Sequence, residues 1–214
     1  MQRGLTDVEL KESDEGVRRL ILGSTSPYRK ALLERLKIPF TTAAPHIDES
    51  PEENEKPEVL VRRLAVAKAR EIARTEKEAL IIAGDQVAVC GDTILGKPGS
   101  RDRAIKQLQH ISGQTIVFET AVCLLDAKTD FYQLERVPFT VYFRVLNIRQ
   151  IENYLDREDV LNCAGSFKSE GLGITLCERF SGDDPTALIG LPLIRLTGML
   201  ERWKEMTGMT VEEF

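Results

Sequence analysis

Residues 19–30 read RLILGSTSPYRK, and this run decides the fold. A short apolar stretch ending at Gly23 reads as a buried strand. Ser26 and Pro27 then supply an N-cap and a first-turn proline, so a helix starts there and runs to about Leu36. A buried strand that feeds straight into a helix is the repeating unit of an α/β protein. Working outward, residues 39–44 read as a second strand, residues 48–57 as an acidic loop and residues 58–74 as a helix. Residues 80–89 (LIIAGDQVAV) are a buried strand with polar residues in its middle. A short helix over 101–110 precedes two long strands, 115–126 and 131–144, joined by a turn near residues 128–130. A helix over 148–157, a glycine-rich stretch of strand and loop over 163–176, and a closing helix over 193–203 complete the pattern. The alternation predicts an α/β fold with a mixed sheet. With no internal repeat and no linker, residues 19–214 read as one domain, and the polar, acidic-leaning residues 1–18 as a loose N-terminal extension.

Composition narrows the function classes. Of 214 residues, 42% are apolar and 29% charged, as in an ordinary soluble domain. No apolar run has the length of a membrane span, and the N-terminus lacks the apolar core of a signal peptide, so no membrane partner and a cytoplasmic location are expected. The net charge is −5 with no basic block, which argues against a nucleic-acid polymer as partner, because phosphate-tracking surfaces cluster Lys and Arg. A few local cations that hold one small anion remain compatible with it. Cys90, Cys123, Cys163 and Cys177 form no C-x-x-C pair, and His46 and His110 sit at no ligand spacing. Acid–base chemistry therefore falls to carboxylates, lysines or a metal ion.

Several residues break structural rules. The first helical turn after Ser26 carries Arg29 and Lys30, although the helix dipole favours acids there. A phosphate among Ser24, Ser26 and the free backbone N–H groups would neutralise them, whereas a plain turn with solvated cations reads the same residues. Asp85, with Gln86 beside it, interrupts an apolar strand; burying an unpaired carboxylate costs several kcal/mol, so a metal, a catalytic role or a structural salt bridge must compensate. Lys68 occupies the apolar stripe of its helix between Leu64 and Ile72, as a snorkelling lysine or one that reaches a phosphate. Lys97 stands between Gly96 and Pro98, and Glu49 lies in the acidic loop, both compatible with simple solvation. In extended backbone Lys168 and Glu170 share one face, as a surface pair or as ligand contacts. Cys163 lacks a histidine to activate it and reads as a small buried residue.

The ordered series S-T-S-P-Y-R-K (24–30), D-E-S-P (48–51), A-K-A (67–69), G-D-Q (84–86), G-K-P (96–98), C-A-G-S-F-K-S-E-G (163–171) and G-L-P-L (190–193) resembles the Maf family of nucleotide pyrophosphatases, over nearly the whole chain. The resemblance implies an elongated mixed sheet flanked by helices, with two lobes around a central cleft. It also implies hydrolysis of a nucleoside triphosphate to monophosphate and pyrophosphate with a divalent cation, Mg²⁺ or Mn²⁺, in a homodimer. By position, Asp85 matches the family's proton acceptor and, with Glu49, the metal site. Ser24, Ser26, Arg29, Lys68 and Lys97 match positions lining the triphosphate, and Lys168 is placed with them as a substrate contact. Tyr28, Gln86 and the F-K-S-E-G run look like the branch that hydrolyses 7-methyl-GTP, where other members often carry tryptophan at the tyrosine. In that reading Tyr28 stacks on the cationic methylated base, Glu170 accepts from guanine's Watson–Crick edge, and Gln86 donates to the ring carbonyl. The same reaction on dTTP or UTP, and a nucleotide-binding regulator of cell division, are the alternatives.

Overall fold

The computed structural model describes residues 16–211. Its first strand, β1 (Val17–Gly23), starts two residues before the expected boundary, so the proposed extension loses its last residues to the sheet; residues 1–15 lie outside the described residues. Helix α1 (Pro27–Glu34) begins as expected, with the Ser26 Oγ accepting from the Arg29 N–H at 3.3 Å. Strand β2 (Thr41–Ala43) and helix α2 (Pro57–Ala73) follow. Next come β3 (Ala79–Cys90), β4 (Thr93–Leu95), α3 (Arg101–Ile111), β5 (Thr115–Asp126), β6 (Tyr132–Phe143) and α4 (Ile148–Leu155). The chain continues through β7 (Cys177–Ser181), α5 (Pro185–Ile189), α6 (Leu193–Thr207) and β8 (Thr210–Val211).

One sheet runs β2-β1-β3-β5-β6-β7, with β4 added to β3 and β8 to β1. β1 is parallel to β2, β3 and β8, because helical crossovers return the chain in the same direction. β3, β5, β6 and β7 pair antiparallel. The sheet is therefore mixed, as the alternation predicted.

β3, β5 and β6 are 12 residues each, roughly 40 Å at 3.3 Å per residue, and so outlast any one core. Toward one end Leu20, Leu22, Leu80, Ile82 and Leu124 pack on α6 around Trp203. Ile21, Ile81 and Cys123, pointing to the opposite face by the two-residue period, pack with Val61, Ala65 and Ala69 of α2. Toward the other end Ala88, Phe118, Phe139 and Val141 pack with Leu108 of α3 and Ile151 of α4. Two lobes thus share the long strands, and Asp85 and Gln86 lie where one core gives way to the other.

One expected element is absent. Residues 163–176 form two 3₁₀ turns, Ala164–Ser166 and Leu172–Leu176, and no strand. Gly165 and Ser166 both take positive φ, 64° and 57°, which an extended strand cannot accommodate. The strand comes later, as β7, and α5 was not anticipated. Among the described residues no helix is long and apolar enough to cross a membrane.

Candidate active site

The site grows from the middle of β3. Gly84 lies so close to β5 that a Cβ there would stand 2.8 Å from the Ala121 carbonyl oxygen, so only glycine fits beside that strand. The next residue, Asp85, is 6% exposed. Its Oδ1 accepts from Lys68 Nζ at 2.7 Å, and Lys68 is itself 5% exposed on the core stripe of α2. The same ammonium lies 3.0 Å from Glu49, whose side chain is largely exposed. Lys68 therefore points inward rather than snorkelling, and it offsets the several kcal/mol that burying Asp85 alone would cost. The salt bridge that compensates Asp85 also lines an open cavity.

That cavity has a volume of about 700 Å³. Its wall includes Ser24, Ser26, Tyr28, Arg29, Glu49, Lys68, Asp85, Gln86, Lys97 and Glu170. Lys168 is the one expected contact that does not line it: with no strand there, its ammonium turns to Glu158, 3.6 Å away. A second depression, about 730 Å³, lies between α2 and β6, but its lining holds none of the expected residues and its sole carboxylate is Glu71.

By the elements that carry them, the cavity residues form two groups. In the first, the Ser24 Oγ accepts from the Ser26 N–H at 3.1 Å and the Ser26 Oγ caps α1, which leaves both hydroxyl protons to donate. Arg29 donates through Nε to the Gly190 carbonyl at 2.9 Å, which aims the guanidinium. Burial lowers its pKa, while Asp85 and Glu49 pull it back up, and a guanidinium remains a cation at neutral pH. Lys30, by contrast, faces solvent and pairs with Glu34 at 3.9 Å, so only one of the two helix-start cations serves the cavity. Lys97 is exposed and has no ion pair among the described residues.

The second group gathers around the 3₁₀ turns. The Cys163 thiol points at the Tyr28 hydroxyl, 3.6 Å away. That contact and burial push the Tyr28 pKa upward, so the ring presents a neutral phenol. Burial likewise raises the Cys163 thiol and leaves it unreactive. Phe167 anchors the segment in the core, its ring centroid 5.1 Å from that of Phe143 and 5.8 Å from that of Phe118. Tyr154 bonds Ser166 O and Lys168 N–H, and Glu158 accepts from Leu172 N–H at 3.0 Å. Glu170 stands exposed at the rim.

Gln86 departs from the expected role. Its Nε2 donates to Ala187 O at 2.7 Å, to Leu188 O at 3.2 Å and to Thr120 Oγ1 at 2.9 Å. Two carbonyl oxygens can be met only by the NH₂ end, so the amide nitrogen is used up and Oε1, an acceptor, is left for a ligand. Sequence reasoning also missed Thr120, which bonds Gln86, Glu158, which accepts from Leu172 N–H, and Asp184 and Thr186, which bond the starts of α5 and α6. Each looks like an ordinary polar residue in one dimension, and only α5, itself unanticipated, brings the last two near the site.

Among the described residues no three His, Cys, Asp or Glu side chains gather as a metal cluster. Glu49 and Asp85 supply two carboxylates around a cation, which is enough for Mg²⁺-type binding completed by substrate phosphates.

Comparison with known proteins points the same way. A family model described as Maf-like protein matches residues 19–203. A protein of Colwellia psychrerythraea, named 7-methyl-GTP pyrophosphatase, is 50% identical over 87% of this chain and 93% of its own length. Proteins of the same name from Nitrosococcus oceani and Methylobacillus flagellatus are 53% and 54% identical, over 86% and 85% of this chain and 92% and 94% of theirs. The chain belongs to the Maf-like protein family.

Proposed function

We propose that this protein is a nucleoside triphosphate pyrophosphatase that hydrolyses 7-methyl-GTP to 7-methyl-GMP and diphosphate, clearing a modified nucleotide from the pool. One observation carries the reading: a buried carboxylate, Asp85, sits in a cavity with Lys68, Arg29, Lys97 and two serine hydroxyls, a set that matches a water nucleophile and a polyanion. The names of relatives at about half identity support the choice of substrate.

Ser24, Ser26, Arg29, Lys68 and Lys97 bind the triphosphate and offset the charge that grows on its oxygens, which is most of what phosphoryl chemistry asks of a protein. Asp85 takes the proton of a water whose oxygen bonds to the α-phosphorus. The bond from that phosphorus to the bridging oxygen breaks, and diphosphate leaves with the electron pair. Glu49 and Asp85 would hold a divalent cation, which would supply Lewis-acid polarisation of the phosphates.

At the base, Tyr28 offers a face to the cationic methylated ring, a contact of about 0.5–2 kcal/mol. Glu170 accepts from guanine N1–H and the exocyclic amine as a charge-assisted pair. Gln86, with its amide nitrogen committed, offers Oε1 as an acceptor and not the donor expected from sequence.

Purified protein incubated with 7-methyl-GTP, GTP, dTTP and UTP, with Mg²⁺ or Mn²⁺, is scored for diphosphate release. The reading expects 7-methyl-GTP to be preferred in kcat/KM; a preference for dTTP or UTP moves the protein to the other branch, and no release from any triphosphate removes the enzymatic reading.

A further inference from the structure

We infer that Asp184 is a positioning residue for the nucleotide cavity, acting through the α5 turn on Gln86 and Arg29. Asp184 is fully buried, lies outside every motif singled out in the sequence and does not line the cavity.

Four donors converge on it. Oδ1 accepts from Thr186 N–H at 3.0 Å and Thr186 Oγ1 at 2.5 Å; Oδ2 accepts from Ile194 N–H at 2.8 Å and Arg195 N–H at 3.4 Å. Thr186 Oγ1 in turn accepts from Leu193 N–H at 2.7 Å. Helix α6 follows Pro192 and has no side-chain cap of its own, so its orphan N–H groups are met by Asp184 and Thr186 across the turn. One carboxylate therefore caps both α5 and α6 and fixes the angle between them.

The geometry that results points outward at the substrate. The last carbonyls of α5 carry few backbone bonds, Ala187 O accepting the Gly190 N–H at 3.0 Å, and stay open to side-chain donors. The Ala187 carbonyl is bonded by Gln86 Nε2 and by the Thr120 hydroxyl, and the Gly190 carbonyl by Arg29 Nε. Gly190 takes φ 123°, and a Cβ there would stand 3.5 Å from Arg29 Nε and 3.9 Å from Gln86 Oε1. Two ligand-facing side chains are thus aimed by carbonyls of a turn whose conformation Asp184 sets. A purely structural cap would stabilise α6 and leave the rotamers of Gln86 and Arg29 to themselves. Here their acceptors belong to the capped turn.

The kinetic part of this inference rests on the pyrophosphatase reading; the spectroscopic part does not. Asp184→Asn and the milder Thr186→Val are compared with wild type by NMR of the Gln86 side-chain amide and by kcat/KM for 7-methyl-GTP. Both variants are expected to shift or broaden the Gln86 NH₂ signals while leaving signals of α3 and α4 in place. They are also expected to lower kcat/KM by about ten- to a hundredfold, as displaced contacts do, with the losses falling partly on KM. In a Gln86→Ala background the same substitutions should lose much of that effect, a non-additivity that mere destabilisation does not produce. Unmoved Gln86 signals, or fully additive losses, overturn the inference. If Asp184→Asn does not fold, Thr186→Val, which keeps the carboxylate, decides. A wild type inactive on every triphosphate would sink the pyrophosphatase reading alone and leave the NMR comparison to judge Asp184.

Discussion

The two groups of cavity residues are built by different means. The Asp85 group stands on long regular elements: β3 carries Asp85, α2 carries Lys68 and the N-terminus of α1 carries Arg29. Asp85 and Lys68 are buried and paired with each other before any ligand arrives. The Tyr28–Cys163–Glu170 group hangs partly on two 3₁₀ turns pinned by a few side-chain contacts from Tyr154, Glu158 and Phe167. The difference teaches where each task can be placed. Phosphate chemistry tolerates little displacement and needs a stiff frame. Base choice is worth a few kcal/mol and can be carried on loops that vary between relatives.

The sharpest way to break this comparison is to remove the chemistry and keep the frame. Asp85→Asn should lose at least about 10²-fold in kcat, the usual scale for a general base. Near-normal kcat would leave Asp85 as a structural anion only.

Lys68 tests whether the frame and the chemistry separate. Lys68→Met preserves the stem in the α2 core but leaves Asp85 buried without its partner, which costs about 3–5 kcal/mol. The double variant Lys68→Met with Asp85→Asn should recover much of that stability in a denaturant titration and none of the turnover. Lys97→Met, at an exposed position, should leave the unfolding midpoint alone and weaken 7-methyl-GTP and GTP alike. Unequal losses between the two would place Lys97 at the base.

Substitutions in the second group should change selectivity more than rate. Tyr28→Leu should lower kcat/KM for 7-methyl-GTP by up to about 2 kcal/mol in activation free energy, and less for neutral GTP. Glu170→Gln should hurt both guanine nucleotides, because the amide nitrogen presents a donor where donors already point. An unchanged 7-methyl-GTP to GTP ratio in Tyr28→Leu, together with equal losses on GTP and UTP in Glu170→Gln, would detach this group from base choice.

The same contrast governs what the sequence revealed. β1, α1, β3, β5 and β6 were legible because apolar period, N-cap and proline agree locally. Asp85 and Lys68 were legible because each violates its own element's pattern. The 3₁₀ segment misled because glycine and small residues suit strand, turn and loop alike, and the positive φ of Gly165 and Ser166 leaves no period to read. Lys168 was placed with it, and its ammonium turns to Glu158 instead. Asp184 was invisible since its four partners come from a helix too short to show a period and from the first turn of the next. The Gln86 amide was misread because its orientation depends on carbonyls 101 and 102 residues away.

The smallest effect concerns the loop that brings Glu49 to Lys68. Arg63 on α2 grips Glu55 through two hydrogen bonds of 2.7 Å and reaches the Ser50 carbonyl at 3.0 Å, so one guanidinium ties both ends of the acidic loop to the helix. Those bonds to Arg63 pull the Glu55 carboxyl from its ordinary 4.5 down to about 2. A depressed folded pKa means that the unfolded chain holds the proton more tightly. The contribution is therefore complete above pH 4.5 and is lost as the pH falls from there to about 2. Glu55→Gln should lower the urea midpoint modestly at pH 7, and the gap from wild type should shrink steadily between pH 4.5 and 2. If the gap stays constant with pH, Glu55 holds the loop by shape and not by charge. Should the variant also raise KM for 7-methyl-GTP at pH 7 without altering kcat, the loop matters for seating Glu49 when substrate binds, which would give the stiff wall of the cavity one adjustable component.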